Sequence, residues 1–401
     1  MRDDSASIYL DNNATTALDP EVLEAMMPYL TARYGNPASR SHAFGWAAGD
    51  AVKMARQTIA DAINADRPTD IVFTSGATES VNLALAGLDA LRGASKRHVI
   101  TSMIEHKAVL DSCARLTDRG VPVTCLRPGE DGVVTPESVR QAIRDDTRLV
   151  SIMAANNETG TVQPIEEIGA VCRDHGVVFH TDATQALGKT ALDVMRMGIG
   201  MAAFSAHKVH GPKGVGALYV DSTDPRAALS PLIVGGGHER GLRSGTLNVP
   251  GIVGFARAVE LAVKRRAVES ARVGRLRDTL RDYLLANVPD IAINGHPTAC
   301  LPGTLNISFA GVDAASLLLE LPDIALSSGS ACTSALHSPS HVLLAMGASA
   351  SRIQSSVRIG IGRFNNEEEI GYVGRRLAEA VAMLRAMAPA VPDAPSVRHG
   401  T

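Results

Sequence analysis

The chain has 401 residues, 39 basic against 42 acidic, and a formal net charge of −3, so it has no general electrostatic pull toward nucleic acid or anionic membranes. Its apolar fraction of 45% and charged fraction of 20% are those of a globular protein, and its length exceeds what one core usually fills, so two domains are expected. Five cysteines, Cys113, Cys125, Cys172, Cys300 and Cys332, are odd in number and include no CxxC pair, which argues against a disulfide framework or a zinc site and for a reducing compartment.

The N-terminal MRDDSASIYLDNNATT sets acids beside its first arginine and has no long apolar core, unlike a secretory or transit signal. No run approaches the roughly 20 apolar residues of a membrane span. A soluble cytoplasmic protein is the expectation. From residue 71 to 220 seven β-rich runs, DIVFTSG, HVITS, VPVTCL, LVSIM, VVFHTDA, AAFSA and GALYV, alternate with amphipathic stretches, which predicts an α/β architecture with a largely parallel seven-stranded sheet. Ligands of such sheets sit beyond the carboxyl ends of the strands. A helical pattern over Gly251–Leu285 then links to a second, smaller α/β unit with strands in IAING, TLNISF, ALSSG and VRIGIG. The tail after Met387 reads as disordered.

Only seven of the basic residues are lysines, so lysine-based chemistry has few candidates. A Schiff base needs a neutral amine in a desolvated pocket. Lys208 suits this best, following the strand AAFSA and preceding the glycine-rich HGPKGVG; Lys213 is the second candidate, and a solvated turn lysine is the plain alternative. Asp182 closes the strand before it, where a carboxylate could pair with a pyridinium nitrogen or simply cap the following turn. TSGATES opens a helix after a strand, so Gly76, Ala77 and Thr78 could donate to a phosphate at the positive end of a helix dipole, with Ser205 and His207 adding donors. His106 could stack on a flat ring or move protons. Asn157 and Gln185 offer neutral amides in the same region.

These segments, TSGATES, EHKAV, NNETG, HTDATQ, SAHKVHGPKG, GGGHERGLRSGT and SSGSACTS, together resemble the class-V aminotransferase-fold pyridoxal phosphate (PLP) enzymes, specifically cysteine desulfurases of the iron–sulfur assembly and nitrogen-fixation kind. The likeness runs from YLDNNATT to RIGIGRF. It implies the PLP-dependent transferase fold type I, with a large domain over 16–260, a smaller one from 1–15 and 261–388 carrying a mobile loop at about 327–341, and a disordered tail over 389–401. It also implies PLP joined to Lys208, Asp182 on the pyridine nitrogen, His106 on the ring and as proton shuttle, and Gln185 at the phenolic oxygen. Ala77, Thr78, Ser205 and His207 would hold the phosphate, and Thr246 would reach the cofactor of the partner in a homodimer. Asn157 would contact the cofactor and, with Arg358, the substrate carboxylate.

By the same resemblance Cys332 is the thiol that receives sulfur from L-cysteine, giving L-alanine and a persulfide passed to a sulfur-acceptor protein or iron–sulfur scaffold. Cys332 could also contribute a ligand to a 2Fe-2S cluster shared with that scaffold. The glycine- and serine-rich setting of Cys332 suits a carrier, whereas the other four cysteines are expected to be small packed residues. The alternatives are a selenocysteine lyase, another PLP enzyme of this fold, or a non-catalytic assembly scaffold. His210 in KVHGPKG and ALHSPSH after the loop depart from the family pattern.

Overall fold

The computed structural model describes residues 7–89, 97–328 and 339–387. Cys332, the centre of the expected mobile loop and the tail 389–401 lie outside the described residues. A short strand β1 (Ile8–Tyr9) opens the described chain. Strands β2 (Ile71–Thr74), β3 (His98–Ser102), β4 (Val123–Leu126), β5 (Thr147–Ser151), β6 (Val178–Asp182), β7 (Met201–Ser205) and β8 (Gly216–Val220) build one seven-stranded sheet in the order β2-β8-β7-β6-β5-β3-β4. All seven β-rich runs are strands of this sheet. Only β8 runs against its neighbours, so six strands point their carboxyl ends to one edge.

The sheet is covered on both sides. Phe73, Phe179, Phe204 and Phe255 pack on one side, and Val72, Leu83, Leu149 and Leu218 on the other. Every residue of β2, β3, β6, β7 and β8 is buried, so these runs do not alternate apolar with exposed polar positions, and the polar residues of β3 and β6 are themselves buried.

The helix Val249–Asn287 has 39 residues, a length of about 60 Å at 1.5 Å per residue. It is longer at both ends than the expected 251–285, because Asn248 caps the amide of Gly251 at 3.1 Å and Pro250 is accepted in its first turn. Its first half packs Phe255 and Val259 against the large sheet. Its second half gives Val273, Leu276, Leu280 and Leu284 to a separate core with Leu10, Phe309, Ile359 and Leu377.

That second core covers strands β9 (Ile291–Asn294), β10 (Thr304–Phe309), β11 (Ile324–Ala325), β12 (Ser327–Ser328) and β13 (Ser356–Gly360). They form an antiparallel sheet β12-β13-β10-β9, while β11 pairs with β1. The expected strand ALSSG is thus two short strands serving different sheets. The chain leaves β1 and runs over Asn13–Asp19 along the Ser205–His210 turn of the large sheet: the Thr16 amide donates to the His207 carbonyl at 2.9 Å and the Asp19 amide to that of His210 at 3.0 Å. Among the described residues no helix is long and apolar enough to cross a membrane.

Candidate active site

A cavity of about 470 Å³ opens at the carboxyl edge of the large sheet, within the size range of ligand sites. Lys208 reaches it from a short 3-10 turn, Ala206–Lys208, directly after β7. Asp182 reaches it from the end of the adjacent parallel strand β6, whose register sets Asp182 opposite Ala203. His106 follows β3, Asn157 follows β5, and the helix Ala77–Asp89 follows β2. Ala77, Thr78, His106, Asn157, Asp182, Gln185, Ser205, His207 and Lys208 all line this one cavity, so nine of the residues expected from the sequence converge. Lys213 lines it as well, but from an exposed turn position.

Lys208 Nζ donates to the carbonyl oxygens of Asn13 and Ala14, each at 2.6 Å. Asp182 is buried; its Oδ1 accepts from the Thr184 amide at 3.0 Å, and its second oxygen takes no protein donor among the described residues. The aspartate therefore caps a turn and keeps one oxygen for a ligand. His106 caps the helix Lys107–Asp118, its Nδ1 accepting from the Ala108 amide at 3.1 Å, so in the neutral ring the proton sits on Nε2. Burial, and then the ammonium groups of Lys208, Lys213 and Lys189, pull His207 down to about 4. Its ring is neutral at pH 7 and meets Thr15 Oγ1 at 3.1 Å.

The far end of the cavity is built for an anion. The first-turn amides of Ala77 and Thr78 have no protein acceptor among the described residues, and they stand at the positive end of a 13-residue helix. The preceding Ser75 amide is already taken by Glu79 at 2.7 Å, and Glu79 is held by Arg243 at 2.9 Å. A side-chain carbon on Gly76 would stand 3.8 Å from Ser205 Oγ, inside the cradle. Gly214, at φ 79, turns the loop beside Lys213 without a Cβ. An amine, an open carboxylate oxygen and a cradle of unpaired donors in one cavity fit a flat ring that carries an aldehyde, a basic nitrogen and a phosphate.

Two expected residues stand elsewhere. Arg358 is 1% exposed on β13 and does not line the cavity. It pairs with Asp11 at 2.7 Å and donates to the Asn157 carbonyl at 3.1 Å and to Ser327 Oγ at 3.2 Å; its Nε has no acceptor among the described residues. Thr246 is exposed and outside the cavity lining of the single chain. Cys332 lies outside the described residues. Among those described, no group of three or more His, Cys, Asp or Glu could hold a metal ion.

The expectation for the other cysteines holds for two of four. Cys113 and Cys172 are buried and burial pushes both thiols up to about 12, which leaves them unreactive. Cys125 is exposed because β4 is an edge strand of the large sheet, and Cys300 is half-buried in a loop where Arg277 Nη1 approaches its sulfur at 3.0 Å.

Asn13, Ala14 and Thr15 of DNNATT line the cavity although sequence reasoning gave them no role. Their signal was the polar run itself, placed directly after β1. Glu105, next to His106, carries a group that sequence reasoning did not single out. It is fully buried, and burial pushes its carboxyl up to about 8. Its Oε1 accepts from Ser102 Oγ at 2.6 Å and from the Met153 amide at 2.9 Å, while Oε2 has no partner among the described residues.

Fold and cavity together are those of an α/β enzyme, and residues 8–373 match the family described as Aminotransferase class-V. The chain belongs to the class-V aminotransferase family, whose members are PLP-dependent. It is 53% identical over 382 residues, 95% of this chain and 94% of the relative, to a protein of Anaeromyxobacter dehalogenans described as "Cysteine desulfurase IscS". A solved structure described as "NIFS-LIKE PROTEIN" superposes with a TM-score of 0.87 at 39% identity, covering 94% of this chain and all of the other. Another, described as "SspA in complex with cysteine", gives a TM-score of 0.78 at 40% identity over 88% of this chain and 99% of that one.

Proposed function

We propose that this chain is a PLP-dependent cysteine desulfurase that converts L-cysteine to L-alanine and retains the sulfur on Cys332. The observation that carries the reading is the joining of Lys208, Asp182, His106 and the open amides of Ala77 and Thr78 in one cavity, in a chain 53% identical to a relative described as a cysteine desulfurase. The solved relative described in complex with cysteine, 40% identical, supports the choice of substrate.

Ala77, Thr78, Ser205 and His207 would hold the cofactor phosphate, Asp182 its ring nitrogen, Gln185 its ring oxygen, and Lys208 its aldehyde carbon. When bound, PLP supplies an electron sink for charge developing at the substrate Cα. Lys208 Nζ takes the Cα proton, which a neutral amine near the substrate can do and an ammonium cannot. His106 moves a proton at Nε2. Asn157 would meet the substrate carboxylate; Arg358, paired with Asp11, would join it only once that ion pair opens, and its unmatched Nε leaves it a donor to offer. The substrate carbon–sulfur bond breaks, a sulfur–sulfur bond forms at Cys332 Sγ, and the carbon left behind is protonated to alanine. No external oxidant is required, since the thiol becomes a persulfide as the carbon is reduced.

The same reading takes residues 16–260 as the cofactor-holding domain and 1–15 with 261–388 as the smaller one, in a homodimer in which Thr246 serves the partner's cofactor. It places the enzyme in the cytoplasm with an iron–sulfur scaffold or another sulfur-acceptor protein, where Cys332 could share a 2Fe-2S cluster. The test is incubation of the purified holoenzyme with cysteine and a thiol reductant, without a keto acid. Equal amounts of alanine and sulfide support the reading; cofactor-bound protein that forms neither overturns it.

A further inference from the structure

Two carboxylates line the cavity, Asp182 at the end of β6 and Glu79 in the first turn of the helix Ala77–Asp89. A carboxylate at that helical position is favoured by the dipole. Glu79 Oε2 also accepts from the Ser75 amide at 2.7 Å, which fixes the turn leading into the cradle. The same charge opposes a phosphate. A phosphate monoester carries roughly 1.5 to 2 negative charges at pH 7, and the open amides of Ala77 and Thr78 that would receive it belong to the same helical turn as Glu79.

Arg243 removes the conflict. It does not line the cavity, but its Nε donates to Glu79 Oε1 at 2.9 Å and its Nη2 to Oε2 at 3.4 Å. Side-chain exposure is 21% for Arg243 and 14% for Glu79, so solvent screens the pair less than it would a surface pair. Burial works to raise the Glu79 carboxyl, and the bonds from Arg243 and Ser75 outweigh it and hold the group below its ordinary value. Among the described residues Arg243 is the only cation within ion-pair distance of Glu79. His207 in the same cavity is neutral at pH 7, pulled down to about 4 by burial and then by the neighbouring lysines. The segment that carries Arg243 has anchors of its own: the Ser244 amide donates to the Ile233 carbonyl at 3.1 Å, and Glu239 accepts from Arg56 at 2.6 Å and from the Phe73 amide at 2.7 Å. What the Arg243–Glu79 pair adds is therefore charge.

We propose that Arg243 is a specificity-determining residue for the cofactor phosphate: by neutralising Glu79 it frees the positive end of the helix for a doubly charged anion, while the carboxylate stays in place to hold the Ser75 amide. The inference deepens the proposed function, since it rests on the reading of Ala77 and Thr78 as donors to that phosphate.

The experiment titrates the cofactor-free protein with PLP and with pyridoxal, which has the same ring and aldehyde but no phosphate, and reads the ratio of the two dissociation constants. Arg243→Gln lowers the preference for PLP by roughly 10-fold or more and leaves the pyridoxal constant near wild type. Glu79→Gln, which keeps an acceptor for the Ser75 amide, raises the preference, and the double variant returns it to the wild-type value. Equal weakening of both ligands in Arg243→Gln, or a double variant no better than Arg243→Gln, overturns the proposal, because either result makes the contact one of shape alone. Should Arg243→Gln not fold, Glu79→Gln decides: a preference at or below that of wild type overturns the proposal. A wild-type protein with no preference for PLP overturns the cradle reading and the inference with it. The expected order of preferences in a protein that forms no alanine from cysteine supports the inference and removes only the desulfurase activity.

Discussion

Lys208 Nζ is bonded to the Asn13 carbonyl at 2.6 Å across 195 positions of sequence. The amine proposed to react is therefore held by backbone that arrives from β1, a strand paired with β11 on the second core. Carbonyl oxygens carry no full negative charge, so they orient the amine while favouring its ammonium form less than a carboxylate would. The segment is fixed in turn by Thr16, whose Oγ1 donates to the His207 carbonyl at 3.0 Å and accepts from the His210 amide at 2.8 Å.

Lys208→Ala is expected to fold, losing about 1–3 kcal/mol from its two charged hydrogen bonds, and to lose all turnover of cysteine. Borohydride reduction of the wild-type holoenzyme followed by peptide mapping should place the cofactor on Lys208. Label on Lys213, which lines the same cavity, would contradict the assignment.

Asp182→Asn keeps an acceptor for the Thr184 amide, now 3.0 Å from Oδ1, and removes the charge. Turnover should fall roughly 100-fold or more, with cofactor still bound, because the aspartate acts on charge that develops during the reaction. Unchanged turnover would mean that its turn-capping bond is its whole role.

Gly216→Ala addresses the anion cradle from behind. A Cβ there would stand 2.4 Å from the Phe204 carbonyl oxygen and 2.6 Å from Gly76 Cα, distances that force β8 away from Gly76. The expected result is a loss of roughly 1–3 kcal/mol in stability together with weaker cofactor binding, read by urea denaturation and by titration of the apoprotein with PLP. Wild-type affinity would show that the cradle does not depend on this approach.

Glu105 sets a pH dependence. Its folded carboxyl is raised from 4.5 to about 8, so between those values the folded chain keeps a proton that the unfolded chain has lost. Stability from this group accordingly falls as pH rises through that window. Glu105→Gln keeps the Oε1 contacts to Ser102 and Met153 and cannot ionise, so its stability relative to wild type should grow from pH 4.5 to 8. Parallel urea midpoints across that range would contradict the buried-acid assignment.

The sheet was legible because each of its strands is short, β-rich and bounded by turn residues. The site was legible where residue type and strand-end position coincide, as at Asp182 and Lys208. Contacts made only by folding were not. Arg358 reads as a ligand-binding guanidinium, yet it is buried against Asp11 from a segment 347 positions away. Glu105 looks like a solvated turn acid until Ser102 and Met153 close over it.

The central claim is that sulfur leaves cysteine and comes to rest on Cys332. It is tested most directly by a single turnover of the holoenzyme with cysteine labelled by a heavy sulfur isotope, without reductant, followed by mass spectrometry of the peptides and quantification of alanine. The account predicts one labelled sulfur atom added to the Cys332 peptide for each alanine formed, and none on the peptides of Cys113, Cys125, Cys172 or Cys300. Alanine formed with the label on another cysteine, or no alanine at all, would contradict it.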